Sequence, residues 1–181
     1  MIQTIRIERV LREAVVTPYR VLVTRPTGAA VRARIEQVLA GSQSETALLD
    51  FVEVELLDFS CADEVVAKLL MTDALQSRFL LLRLHCDDQW DAIDQVLSRQ
   101  GLAVAALRAA APRPSLLGHT TDDLRDAFNC LCLDGPADAG QLAMTLRWPH
   151  PRAAAALAGL VQHRLARPTG AVHYPPPLPR A

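Results

Sequence analysis

The chain has 181 residues, half of them hydrophobic and only 4% aromatic, with a formal net charge of −1. That length suits two small domains with separate cores, and so few rings mean cores layered from Leu, Val, Ile and Ala. The near-zero charge excludes a general field drawing the chain to nucleic acid or anionic lipid.

The four cysteines, Cys61, Cys86, Cys130 and Cys132, match neither a disulfide framework nor the two-residue gap of zinc knuckles. Reduced thiols are expected. No basic start with an apolar run and small-residue cleavage site follows Met1, and no apolar stretch is long enough to span a bilayer. The expectation is a cytoplasmic protein with no membrane contact.

In chain order, Ile5 and Ile7, then Val21 and Val23, are β-branched pairs in alternation on either side of Thr17-Pro18, which predicts two strands. Arg25-Pro26-Thr27-Gly28 reads as an ordinary turn, its single glycine being too little for a phosphate loop. Val31, Ile35, Val38 and Leu39 then fall on one helical face, ended by Gly41-Ser42. Ala47 to Phe51 reads as a buried strand, with a brief second extension before Leu57. A helix begins near Asp58, with Ser60 as its cap and Asp63 and Glu64 favoured by its dipole; Ala62, Val65, Val66, Leu69 and Leu70 form its buried side.

Phe79 to Leu84 is another apolar strand, and Asp87-Asp88 open a helix carrying Trp90, Ile93, Val96 and Leu97. Leu102 to Leu107 predicts a last strand. Strands alternating with helices imply parallel neighbours in an α/β sheet. Residues 109–117, which are rich in Ala and Pro, read as a linker. That gives an α/β domain at 1–108 and a second domain at 118–181.

Thr121 starts a helix from Leu124 to Leu133, Gly135-Pro136 breaks it, and Ala137 to Leu146 forms the next. A third helix, Arg152 to Arg167, turns Ala156, Leu157, Leu160, Val161 and Leu165 inward. An extended Ala171 to Tyr174 completes a short hairpin. Three helices and a hairpin suggest a small α+β winged helix-turn-helix domain. Pro175 to Pro179 predicts an extended proline-rich tail.

Leu48-Leu49-Asp50-Phe51-Val52-Glu53-Val54 and Leu57-Asp58-Phe59-Ser60-Cys61-Ala62-Asp63 resemble the central strand and switch loop of STAS domains, with element order agreeing over roughly residues 15 to 110. In the bacterial anti-sigma factor antagonists of that family, a serine at this helix start is phosphorylated by the partner kinase. The resemblance implies a STAS-like mixed sheet with helices. It makes Ser60 the phosphoacceptor candidate and Asp58, Phe59, Cys61 and Asp63 the switch loop. The chain departs from the family at Phe59, where a serine is usual, and at Cys61, where a glycine is usual. A plain helix N-cap would use the same Ser60 hydroxyl.

The second domain resembles winged helix-turn-helix domains of bacterial regulators through Gly135 to Ala143 and Leu157 to Leu165. The resemblance puts Arg147, His150 and Arg152 where a groove or a partner would be met. This half carries six arginines against five aspartates and no lysine, a thin supply for phosphate contacts.

His119, His150, His163 and His173 have no cysteine or carboxylate at ligand spacing. Asp50, Asp58 and Asp63 come with no phosphate loop and no nucleophile-base pair. No catalytic residue, metal or cofactor is therefore expected. The expectation is a non-enzymatic bacterial regulatory protein with a kinase-like or sigma-regulatory protein partner, phospho-regulated at Ser60. Its winged helix would bind DNA or protein, or mediate homodimerisation. The alternative is a DNA-binding winged-helix transcriptional regulator with an α/β sensor domain.

Overall fold

The computed structural model describes residues 1–15, 20–109, 111 and 113–179. The chain divides into two compact units, Met1–His119 and Thr120–Arg180. The first is mixed α/β.

Strand β1 (Ile2–Arg6) runs directly into helix α1 (Ile7–Ala14). This corrects the strand expected through Ile7. Ile7, Val10 and Leu11 recur at helical spacing and are buried, while Arg12–Glu8 and Arg9–Glu13 pair one turn apart on the wet side. Thr17 and Pro18, the expected break, lie outside the described residues. A short β2 (Val21–Leu22) then leads into α2 (Arg25–Ala40). The segment expected as a turn at 25–28 is therefore the first turn of that helix, consistent with the fixed φ of Pro26.

Strand β3 (Thr46–Asp50) and the short β4 (Leu56–Leu57) follow. Helix 59–70 is built from α3 (Phe59–Ala62), a π turn (Asp63–Ala67) and α4 (Lys68–Leu70). Next come β5 (Phe79–Leu84), α5 (Asp87–Arg99), β6 (Ala103–Arg108) and β7 (Pro114–Gly118). The main sheet has the order β1-β3-β5-β6-β7. Its first four strands are parallel and β7 is antiparallel at the edge. Parallel strands added stepwise in one direction, with right-handed crossovers, place their helices on one face. Accordingly α1, α2, helix 59–70 and α5 pack side by side.

The core between the sheet and these helices gathers Ile5, Leu49, Leu80, Leu82, Val104 and Ala106 with Val31, Ile35, Val65, Leu69 and Ile93. The other sheet face is apolar as well, and its Leu48, Leu81, Ala105 and Leu116 are buried. Burial on both faces is why these strands read as continuous apolar runs.

β7 corrects the expected linker at 109–117. Leu116 pairs with Ala105 and Leu117 with Val104, and Pro114 stands first in the strand, where its missing donor is tolerated. Ala110 and Pro112 of that segment lie outside the described residues.

The second unit contains α6 (Asp122–Asp134), α7 (Ala139–Leu146), α8 (His150–Gln162) and an antiparallel hairpin of β8 (Arg167–Thr169) and β9 (Val172–Tyr174). Thr121 caps α6, and a reciprocal Asp138–Gln141 capping box starts α7. The third helix ends earlier than the Arg167 expected for it. Arg164 adopts a left-handed φ of 57° and the Leu165 amide bonds the Leu160 carbonyl, which closes α8. Leu124, Phe128, Leu131, Leu142, Leu157, Leu160 and Leu165 are buried, whereas Val161 is only half-buried. Residues 175–179 carry no helix or strand.

Candidate functional site

The switch-loop residues named from the sequence lie where two parallel segments each hand over to a helix. β2 and β4 pair in parallel, with Leu22 opposite Leu57. Each is followed within a few residues by a helix, so the N-termini of α2 and of helix 59–70 start close together. Gly28 marks the contact. A Cβ there would lie 2.9 Å from the Glu64 Cβ and 3.1 Å from the Cys61 Cα.

Asp58 joins the two starts. One carboxylate oxygen, Oδ1, accepts from the Cys61 amide at 2.7 Å and the Ser60 hydroxyl at 2.8 Å. The other, Oδ2, accepts from the Thr24 amide at 3.0 Å. Asp58, and not Ser60, therefore caps helix 59–70. An ionised carboxylate accepts more donors than a hydroxyl at this end, where the helix dipole favours negative charge. Burial opposes ionisation of Asp58, but the Thr24, Cys61 and Ser60 donors prevail and hold its carboxyl below the usual range.

Thr24 precedes α2 with φ 73° and ψ 138°, a conformation that costs a β-branched residue energy. Four hydrogen bonds surround it. Its amide donates to Asp58, and its hydroxyl meets that of Thr27 at 3.1 Å. Its carbonyl accepts from the Cys61 thiol at 3.1 Å and from the Gly28 amide at 3.1 Å. Burial, then the neighbouring Asp58 charge, pushes the Cys61 thiol up to about 12, so it stays protonated.

One turn further, the π turn lets two consecutive carboxylates face one guanidinium. Arg25 Nη1 reaches Asp63 Oδ2 at 2.6 Å and Glu64 Oε1 at 2.9 Å. Glu64, 3% exposed, also meets Arg32 at 3.4 Å and Lys68, the chain's single lysine. For both Asp63 and Glu64 burial works against the charge. The bonds from Arg25 and Gln100 on Asp63, and from Lys68 and Arg25 on Glu64, outweigh it and lower both. Asp63 is thus an ion-pair member at the start of the π turn. Asp50 is engaged elsewhere, pairing with Arg83 at 3.4 Å and accepting from the Val52 amide.

Two large apolar side chains are exposed beside this framework. Phe59 is 52% exposed and Leu56 49%. Sequence reasoning found Asp58, Phe59, Ser60, Cys61 and Asp63 but missed Thr24, Arg25 and Gly28. Pro26 two residues after Thr24, followed by Gly28, was the available signal.

In the second unit Arg152 is not a spare cation. Its guanidinium forks onto Asp123, with Nε–Oδ2 at 3.0 Å and Nη2–Oδ1 at 2.6 Å, and stacks 4.2 Å from the Trp148 ring. Arg152 holds the Asp123 carboxyl below its usual range. The pair seats the start of α8 beside the acidic first turn of α6, a poor setting for a nucleic acid phosphate. Arg147, in a left-handed conformation after α7, and His150 are exposed.

Among the described residues no helix is long and apolar enough to cross a membrane, and no three His, Cys, Asp or Glu gather as metal ligands. No family model, curated protein or solved structure matches the chain.

Proposed function

We propose that this chain is a non-enzymatic regulatory protein that works by protein–protein docking, with an α/β unit of STAS-like plan and a winged-helix second unit. The docking element is the β4-to-helix segment from Leu56 to Cys61. The observation that carries this reading is the pair of exposed apolar side chains, Leu56 in β4 and Phe59 at a helix start that Asp58 caps. An exposed aromatic on a pre-ordered element gives contact area with little ordering cost, as an interface anchor requires.

Ser60, next to Phe59 and only half-buried, is the regulated position. A kinase-like partner transfers a phosphoryl group from a nucleoside triphosphate: the Ser60 Oγ–P bond forms, the bond to the diphosphate breaks, and the hydroxyl proton leaves. The product carries nearly two negative charges beside Phe59 and opposes docking on an apolar or acidic surface. Protonated Cys61, Cys130 and Cys132, with thiols pushed up to about 12, 11 and 12 mainly by burial, are suited to packing and not to nucleophilic work.

The test is affinity capture from a lysate of the source cells, with and without nuclease, comparing the natural chain with Phe59→Ala. A kinase-like or sigma-factor-binding protein that survives nuclease and is lost with Phe59→Ala supports the reading. Recovery only of nuclease-sensitive, DNA-associated proteins, unchanged by Phe59→Ala, favours a DNA-binding regulator instead.

A further inference from the structure

Two helices that start side by side would ordinarily each need an anion or a polar cap. Here one carboxylate serves both. Asp58 Oδ1 is shared between the Cys61 amide and the Ser60 hydroxyl, and Oδ2 holds the Thr24 amide. Ser60 is thereby connected, through a single side chain, to a residue 34 positions away from Asp58. Thr24 is also the described β-branched residue with a left-handed φ, so the turn it belongs to is held against its own preference. Two of its four hydrogen bonds come from Asp58 and Cys61.

We propose that Asp58 makes the two helix starts one switch: negative charge on residue 60 displaces the Asp58 carboxylate and releases the Thr24–Gly28 turn, bringing the α2 N-terminus into the regulated surface. The Ser60 hydroxyl donates to Asp58 at 2.8 Å. An anion on the same side chain removes that donor and sets like charges at hydrogen-bond range, where repulsion is strong at a partly desolvated site. With Oδ2 withdrawn, Thr24 loses its amide acceptor and relaxes toward an extended φ. The Gly28 amide then loses the Thr24 carbonyl it bonds at 3.1 Å. Arg25, which lies between them and joins Asp63 and Glu64, is freed to face outward. This rests on Ser60 as the regulated position in the reading above, but it concerns the isolated protein and needs no partner.

The experiment is residue-resolved hydrogen exchange on the full chain for Ser60→Glu and for Ser60→Gln, its neutral counterpart of equal size. The Thr24 and Gly28 amides are the reporters, and β5 amides serve as the reference for global opening. Ser60→Glu is expected to speed exchange at Thr24 and Gly28 by about fivefold over Ser60→Gln, the worth of one lost cap, with β5 unchanged. The difference shrinks as salt is added. In an Asp58→Asn background it vanishes, because no carboxylate is left to displace.

Equal exchange in the Glu and Gln variants overturns the proposal, and so does a Glu–Gln difference that persists with Asn at position 58. Should Ser60→Glu unfold the α/β unit, the same comparison is made with Ser60→Asp against Ser60→Asn. Partner capture plays no part in these readouts, so a failed docking surface and a failed switch are told apart.

Discussion

At the level of single residues, one carboxylate, that of Asp58, joins three donors. It caps helix 59–70, anchors the Thr24 amide and accepts from Ser60. Replacing a single cap costs about 1 kcal/mol and up to about 2 in protein hosts. Asp58→Ala is expected at the upper end, about 2 kcal/mol, because two helix starts lose their acceptor. Urea unfolding at neutral pH measures this. A loss within a few tenths of a kcal/mol, typical of an exposed surface site, would show that Thr24 and Cys61 find other acceptors. Ser60→Ala removes only a donor to an already well-held carboxylate and is expected to cost less than Asp58→Ala in the same measurement.

Between elements, Gly28 decides how closely α2 and helix 59–70 approach. An added Cβ would meet the Glu64 Cβ at 2.9 Å and backbone at Cys61 at 3.1 Å. Neither is the far end of a flexible side chain. Gly28→Ala gains about 1 kcal/mol of helix propensity but forces two packed helices apart, at a typical cost of about 1–3 kcal/mol. The net expectation is destabilisation, read as a lower urea midpoint; a stabilised variant would mean that the π turn at 63–67 yields. In the second unit, the Arg152 fork on Asp123 and its stacking on Trp148 join the start of α8 to α6. Arg152→Ala is expected to lower the melting temperature seen by near-ultraviolet dichroism by a few degrees. Unchanged melting combined with lost retention on DNA would return Arg152 to the groove-facing role that its sequence position suggested.

For the whole molecule, acid is the informative variable. Asp58, Asp63 and Glu64 are all held below their ordinary range. Each therefore contributes stability that is present above the unfolded-state value, about 4, and is lost as pH falls through the lower folded value. Thermal melting is expected to be level from about pH 7 to 5 and to fall below about 4. Asp58→Asn and Glu64→Gln should lower the plateau and flatten the acid limb. An acid limb of unchanged steepness in both variants would assign the transition to other carboxylates.

How much of this was legible beforehand follows from the range of the interactions. Helix 59–70, α5 and β5 were readable because periodic apolar residues and helix-start acids act over a few positions. The Ile5/Ile7 alternation misled, since two β-branched residues cannot distinguish a strand from a strand that ends where a helix begins. The linker reading failed at 114–118 because Pro and small residues mark an edge strand as well as a loop, and only pairing with β6 separates them. At the candidate site, Asp58 and its neighbours were visible as a local motif, while Thr24, Arg25 and Gly28 were not.

The sequence alone determined the alternation of apolar strands with amphipathic helices and the local chemistry of residues 58–63. Both rest on neighbours in the chain. Tertiary structure decided that the carboxylate capping helix 59–70 would also hold the amide of Thr24 at the start of α2, that Glu64 would be buried among Arg25, Arg32 and Lys68, and that Arg152 would be held by Asp123. Those pairings, apart from the one-turn Glu64–Lys68 bridge, join residues about thirty or more positions apart. They exist only because packing the apolar faces brings the polar ends of the elements together.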